Sequence, residues 1–264
     1  MRFAVLCLSL LLVSAAPAWS AACGDAGAGF DGWKKGFAAE ARANGVGARG
    51  LSALSGANYA RATIRADRGQ HSFKLGLDAF MRKRGSAAIV SRGRALKAQN
   101  AKLFARIEER YGVPAGPLIA IWGMETAFGS FTGKQNTISA VATLAYDCRR
   151  PDYFREQLVA ALKLVDHGVL SASSVGAMHG EVGQTQFLPK NVLLYGADGD
   201  GGGVNLNRKA DALASTANFL KAHGWRRGAG YQPGQPNFAA LQGWNAASVY
   251  QRALAIMGRE IDGD

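Results

Sequence analysis

Helical periodicity along nearly the whole chain is the feature that most restricts the fold. Apolar residues recur three and four positions apart in one segment after another, which is typical of amphipathic helices, and no convincing run alternates as a strand would. One stripe from Leu96 to Tyr111 predicts a single long helix that ends near Gly112 and Pro114. The 34 glycines concentrate between the stripes, as in "GDGGG" at 199–203. We therefore expect a mainly α fold in which irregular glycine-rich loops line a groove.

The N-terminus has the pattern of a secretory signal peptide, to which we assign residues 1–22. A basic residue precedes an apolar run at 3–13, and small residues follow, with cleavage expected after Ala18 or Ala22. The run is too short to span a membrane, and we expect no transmembrane segment elsewhere. Residues 23–264 are predicted to form one mature domain, because no Pro- or Ser-rich linker divides them.

The chain is basic, with a formal charge of +12 at pH 7. Arg2 is the only charge in the signal peptide, so the mature chain carries +11. Such a balance suggests an acidic partner, which would be nucleic acid, anionic lipid or a carboxylate-bearing polymer, although solubility alone would also explain it. The basic residues are scattered, and the longest tract is "RKR" at 82–84, which argues against a nucleic-acid partner.

Two cysteines remain after removal of the signal peptide, Cys23 and Cys148. One pair in an oxidising compartment predicts a disulfide. The alternative is a lipid on Cys23, because "SAAC" loosely resembles a lipoprotein signal, but Ser20 stands where such signals have a large aliphatic residue. The four histidines are far apart in sequence and lack ligand spacing, so no metal site is predicted from them.

One carboxylic acid interrupts the apolar segment "LIAIWGMETAFG" at 118–129. Glu125 shares a helix face with Leu118, Ile121 and Trp122, so burial is expected to raise its pKa. A carboxyl that stays protonated near neutral pH would suit a general acid of glycoside cleavage, whereas a buried ion pair with an arginine is the structural alternative. Further along, "GEVGQTQFLP" at 180–189 is a polar loop between glycines. Its amide and hydroxyl groups, which would suit sugar hydroxyls, belong to Gln184, Thr185 and Gln186.

Together these segments resemble the membrane-bound lytic murein transglycosylase B family. The resemblance rests on Trp-Gly-x-Glu-Thr-x-x-Gly at 122–129, on Gly-Gln-x-Gln-Phe-x-Pro at 183–189 and on "ADALASTANFLKAHGW" at 210–225. It extends in order from about Phe30 to the C-terminus. It implies a lysozyme-like helical catalytic core. It also implies cleavage of the β-1,4 bond between N-acetylmuramic acid and N-acetylglucosamine in peptidoglycan, without water, to leave a 1,6-anhydromuramic end.

The resemblance also assigns roles to individual residues. Glu125 matches the family's single catalytic acid and base. The residues that match substrate-binding positions of the groove are Phe80, Gln186, Asn218, Phe219, Trp244, Asn245 and Tyr250. Phe80 and Phe219 stand where family members can have tyrosine, so they would keep a stacking face and lose a hydroxyl.

Two departures from the family affect function. Several members have Gly-Ala-Met-Gly where this chain has "GEVG", which introduces Glu181, and Ala177 stands where a serine is common. Glu181 is either a solvated or ion-paired loop acid, or a second cleft carboxylate that activates water and shifts the outcome toward hydrolysis.

The second departure concerns calcium, which some members bind in a loop resembling an EF-hand. Here Asp198 and Asp200 fit loop positions one and three, but Gly202 and Lys209 stand at positions five and twelve, where ligands are needed. We therefore expect no cofactor.

The resulting expectation is a periplasmic, monomeric lytic transglycosylase that acts on peptidoglycan glycan strands. A muramidase-type hydrolase and a non-catalytic peptidoglycan-binding protein on the same fold are the alternatives.

Overall fold

The computed structural model describes residues 22–69 and 75–263, which fold into thirteen α-helices joined by irregular loops. The helices are α1 (Phe30–Ala43), α2 (Ala48–Ser55), α3 (Arg61–Arg68), α4 (Leu77–Arg84), α5 (Ser86–Gln99), α6 (Ala101–Tyr111), α7 (Ala115–Thr126), α8 (Thr137–Tyr146), α9 (Pro151–Asp166), α10 (Pro189–Tyr195), α11 (Lys209–Ala222), α12 (Phe238–Trp244) and α13 (Ser248–Asp262). A 3₁₀ turn at Gly27–Gly29 precedes α1. The mainly α prediction is confirmed. The signal-peptide assignment lies almost wholly outside the described residues.

The strands are short and belong to one antiparallel pair. They are β1 (Gln135–Asn136) and β2 (Val175–Gly176), and Gln135 is paired with Gly176. This pair joins the segment after α7 to the segment after α9.

One helix boundary differs from the sequence prediction. The stripe from Leu96 to Tyr111 forms two helices, because Asn100 ends α5 by donating its side-chain Nδ2–H to the Leu96 carbonyl at 2.8 Å. The last helix begins at Ser248. The side chain of Asn245 accepts the amide of Ala247 at 2.9 Å and turns the chain before this helix starts.

The buried apolar side chains form two clusters. One cluster joins α1, α2, α3, α8 and α9. The other surrounds α7 and includes α5, α6, α11 and α13. Every residue of α7 except Glu125 is buried, so the whole helix lies within the second cluster. Gly116 of α7 faces the carbonyl of Gly258 in α13, where a Cβ would clash. Gly116 lies at the start of α7 and Gly258 lies near the end of α13, so the two helices run in opposite directions. The start of α13 therefore lies beside the end of α7, where Tyr250 reaches Glu125.

The predicted disulfide between Cys23 and Cys148 is present in the structure, with Cα atoms 5.0 Å apart. It attaches the segment before α1 to the segment after α8. Two hydrogen bonds reinforce the attachment, from the Gly24 amide to the Tyr146 carbonyl at 2.9 Å and from the Tyr146 hydroxyl to the Ala26 carbonyl at 3.1 Å. A disulfide indicates an oxidising compartment. Among the described residues, no helix has both the length and the hydropathy needed to cross a bilayer.

Candidate active site

The candidate site begins where α7 ends, one residue after Glu125. Ala127, Phe128 and Gly129 all have positive φ angles, of 48°, 63° and 82°. The hydroxyl of Thr126 accepts the Gly129 amide at 2.9 Å and so supports this abrupt turn. Non-glycine residues with positive φ carry backbone strain and tend to cluster at functional sites. The turn therefore leaves Glu125 at the edge of an otherwise buried helix.

Two neighbouring side chains hold the carboxyl of Glu125. The Tyr250 hydroxyl and the Trp244 indole both donate to Glu125 Oε1, the indole at 3.2 Å. Burial raises the pKa of Glu125 above its ordinary value, and the negative charge of Glu181 adds to the rise. The two hydrogen bonds and the positive charge of Arg84 act in the opposite direction without cancelling it. The site thus holds a half-buried acid in a fixed orientation, and this acid keeps its proton to a higher pH than an ordinary glutamate does.

The polar loop at 180–189 is a tight turn attached to α7. Val182 and Phe187 form an antiparallel bridge, and Gln186 between them has a φ angle of 56°. The side chain of Gln184 accepts the Trp122 indole N–H at 2.9 Å and donates to the Asn207 carbonyl at 2.6 Å.

These contacts correct two expectations for the loop. The Gln184 amide, expected to meet sugar, is used inside the protein to fasten the loop to α7. Thr185 is fully buried and is closed to solvent. Gln186 is half-buried and donates to the carbonyls of Thr132 and Gly183 at 3.3 and 3.0 Å, so its role as a sugar ligand stays a prediction.

The aromatic residues at the site divide into a half-buried ring and a buried layer behind it. Trp244 is half-buried, and its ring packs on Phe187 and Phe219 with centroids 5.3 and 5.2 Å away. Phe219 is only 4% exposed and Phe80 only 1% exposed. Phe80 packs behind Tyr250 with centroids 6.2 Å apart. The expectation that Phe80 and Phe219 stack on sugar is therefore wrong for this structure, because both rings are closed off by their neighbours.

The other predicted groove residues have protein partners of their own. Asn218 donates from Nδ2 to the Tyr195 carbonyl at 3.1 Å and is half-buried. Asn245 is half-buried, and its carbonyl accepts from Gln251 Nε2 at 2.7 Å. Tyr250 is 3% exposed, so its ring offers no face for stacking on a sugar. Its hydroxyl instead holds the carboxyl of Glu125. Substrate binding by Asn218 and Asn245 stays a prediction.

Glu181 belongs to a charged chain that the sequence did not indicate. Its two oxygens face the ring Nδ1 and the backbone amide of His179 at 3.3 and 3.0 Å. The ring Nε2 of His179 lies 3.7 Å from Asp67, which is 2% exposed and is paired with Arg149 and Arg150. Burial alone would raise the pKa of Glu181, but hydrogen bonds and charge from His179 lower it below its ordinary value. Glu181 is therefore an ionised and internally paired carboxylate.

One acidic group in the described chain has the spacing of a metal site. Carboxylate oxygens of Asp198, Asp200 and Asp211 lie within 4.8 Å of one another. The guanidinium of Arg208 lies among them, 2.8 Å from Asp211. Lys209, at the expected twelfth ligand position, donates instead to the side chain of Asn100.

A mainly helical fold that holds a half-buried acid at the end of its central helix, next to a strained turn, is that of the lysozyme-like class. Residues 29–233 match the family described as the transglycosylase SLT domain, which is well over half of the chain. The chain belongs to this family, as its motifs predict.

Individual relatives agree with this assignment. Membrane-bound lytic murein transglycosylase B of Escherichia coli (strain K12) is 36% identical over 137 residues, which cover 48% of this chain and 38% of that protein. The matched segment is thus well under two thirds of that relative's length. SltB3 from Pseudomonas aeruginosa, solved in complex with NAG-anhNAM-pentapeptide, is similar with a TM-score of 0.81 and 30% identity, covering 89% of this chain and 80% of that one. Escherichia coli Slt35, solved in complex with calcium, has the same fold with a TM-score of 0.72 and 23% identity, covering 92% and 96%.

Proposed function

We propose that this chain is a lytic transglycosylase. It cleaves the β-1,4 bond between N-acetylmuramic acid and N-acetylglucosamine in peptidoglycan and leaves a 1,6-anhydromuramic end. The observation that supports this most strongly is the state of Glu125, a carboxyl with a raised pKa that Tyr250 and Trp244 hold in place. The identified family and the relatives that act on murein support the same substrate.

In the proposed reaction Glu125 acts twice. Its protonated form gives a proton to the bridging oxygen as the bond from that oxygen to C1 of the muramic sugar breaks. The 2-acetamido oxygen of the same sugar supports the developing positive charge, as in substrate-assisted glycosidases. The carboxylate of Glu125 then takes the proton of the C6 hydroxyl, whose oxygen bonds to C1 and closes the anhydro ring. An attacking group within the same sugar has a high effective concentration and needs no bound water.

Hydrolysis by a muramidase is the second candidate, because Glu181 offers another ionised carboxylate. Two observations disfavour it. Both oxygens of Glu181 already face His179, and the lowered pKa makes the carboxylate a weak base for activating water. The third candidate, wall binding without catalysis, would not require a strained turn and two hydrogen bonds to fix one acid.

The proposed setting is the periplasm, where the chain would act as a monomer on glycan strands. The disulfide is consistent with that oxidising compartment. Peptidoglycan stems carry carboxylates, so a mature charge of +11 favours association with the wall.

The direct test replaces Glu125 with glutamine and measures solubilisation of purified sacculi. Glutamine keeps the shape and can still accept from Tyr250, but it cannot donate or take the proton, so we expect a loss of at least about 10²–10⁴-fold. Glu108→Gln is the matched control, because Glu108 is exposed on α6 and should leave the rate unchanged. Retention of most activity by Glu125→Gln, with an unchanged melting curve, would contradict the assignment.

A further inference from the structure

The loop between α10 and α11 resembles a calcium loop, but the positive charge beside its carboxylates is the side chain of Arg208. Asp198 and Asp200 stand at the first and third ligand positions, and Asp211 at the start of α11 completes the acidic group. The similar Slt35 fold was solved with calcium. The question is therefore whether these residues fit a divalent ion in this chain.

The guanidinium of Arg208 contacts two of the three carboxylates in the acidic group. Its Nη2 lies 2.8 Å from Asp211 Oδ2 and 3.4 Å from Asp200 Oδ1, and it also donates to the carbonyl of Gly203. Its Nε donates to Asp211 Oδ2 at 3.0 Å. Gly202 gives it room, since a Cβ at that position would meet the guanidinium. A side chain at the fifth ligand position would clash with the arginine.

The carboxylate oxygens are already used by the loop itself. Asp198 Oδ1 accepts the amide of Gly201 at 2.6 Å, and its Oδ2 accepts the amide of Gly203 at 2.8 Å. These amides lower the pKa of Asp198, which keeps it ionised. Asp211 is fully buried, and its Oδ1 accepts the Gly199 amide at 2.8 Å. A buried carboxylate needs a compensating charge, and Arg208 supplies it with two of its donors.

This loop also sets the relation between α10 and α11. Asp211 receives the amides of Gly199 and Asn205 from the two sides of the loop. The hydroxyl of Ser215 accepts the Ala197 amide at 2.9 Å one turn further along α11. Asn218, a predicted groove residue, follows on the same helix. A closed loop is therefore needed for α11 to lie where it does against α10.

We infer that the guanidinium of Arg208 takes the place of the divalent cation in this loop, so that the chain closes the connection between α10 and α11 without a metal. The residues do not fit a calcium ion as well, because positions five and twelve lack ligands and the guanidinium already contacts Asp200 and Asp211. Arginine suits this role because its charge is permanent and its planar fork reaches several oxygens at once. This inference is independent of the proposed activity.

The test compares melting temperatures of the full mature protein with calcium and with chelator. For the wild type we expect no change, because a ligand that does not bind the folded state cannot stabilise it. Arg208→Gln is expected to melt several degrees lower in chelator, because it leaves Asp211 buried without its cation. Millimolar calcium should recover part of that loss, since the vacated centre is surrounded by three carboxylates. Arg106→Gln, an exposed arginine on α6, is the matched control and should behave as the wild type.

Three results would overturn the inference. One is a calcium-dependent rise of several degrees in the wild type. Another is a melting temperature of Arg208→Gln equal to that of the control. The third is a loss in Arg208→Gln that calcium does not reverse, because Arg208 would then be an ordinary ion-pair partner and not a substitute for a metal. Calcium titration calorimetry on the wild type and Arg208→Gln distinguishes these results from a general change in stability.

Discussion

The disulfide between Cys23 and Cys148 should supply much of the stability of this protein. Its partners are 125 residues apart in sequence, and a closed loop of that length corresponds to about 4.9 kcal/mol in the chain-entropy relation at about 25 °C. Native strain reduces this value, so it is an upper figure. For a protein of this size each kcal/mol shifts the melting temperature by roughly 2–4 °C. Replacing both cysteines by serine should therefore lower the melting temperature by about 10–20 °C.

Circular dichroism measures this difference, with the wild type and the double variant in non-reducing buffer and a second wild-type sample in reducing buffer. The reduced wild type is the matched control, because it lacks the disulfide but keeps the native side chains. Its melting temperature should equal that of the double variant. Thiol titration of the denatured, unreduced protein should find no free sulfhydryl. A fall of less than about 3 °C, or one titratable thiol per chain, would refute the reasoning, and a lipid on Cys23 would account for the free Cys148.

The remaining predictions concern the ionisation of Glu125. Because its pKa is raised, the folded protein keeps the proton at pH values where the unfolded chain has released it, so stability is lost as pH rises from the ordinary value of 4.5 through the raised pKa. The melting temperature of Glu125→Gln should therefore be higher than that of the wild type at neutral pH and equal to it at about pH 4. Tyr250→Phe removes a hydrogen bond that lowers the pKa of Glu125, so the alkaline limb of the pH–rate profile should move to higher pH. The rate should also fall roughly 10- to 100-fold, as expected for loss of a hydrogen bond to a charged group. Glu181→Gln removes a negative charge that raises the same pKa, and should move that limb to lower pH. A shift of the alkaline limb in the same direction in both variants would contradict the causes assigned to the raised pKa of Glu125.

Local features of the sequence predicted the mainly α fold and the raised pKa of Glu125. Glu125 was identifiable because it is the one acidic residue in an apolar helical segment. The disulfide was identifiable because two cysteines remain once the predicted signal peptide is set aside. The division between α5 and α6 was missed because the apolar stripe continues across Asn100, whose own side chain ends the first helix. Periodicity reports the buried face, and it does not report a polar side chain that bonds back to the preceding turn.

Contacts between distant segments could not be predicted from these patterns. The pairing of Gln184 with Trp122 joins residues 62 positions apart, and His179 meets Asp67 across an even longer separation. The family resemblance also gave Phe219 a place in the groove without revealing that the ring of His223 would stack on it, with centroids 3.9 Å apart. A glutamine beside a sugar and a glutamine beside an indole look the same in sequence, because both use the same amide donors and acceptor.

The mass of the released muropeptides tests the central claim most directly. Purified sacculi are digested by the wild type in isotopically labelled water, and the products are separated and weighed. A lytic transglycosylase should release products one water lighter than hydrolysed muropeptides, with no label at the muramic C1, because the C6 hydroxyl of the same sugar closes the ring. Glu125→Gln should release neither kind of product. Reducing ends that carry the label would contradict the claim and identify a hydrolase, with Glu181 as the residue to examine.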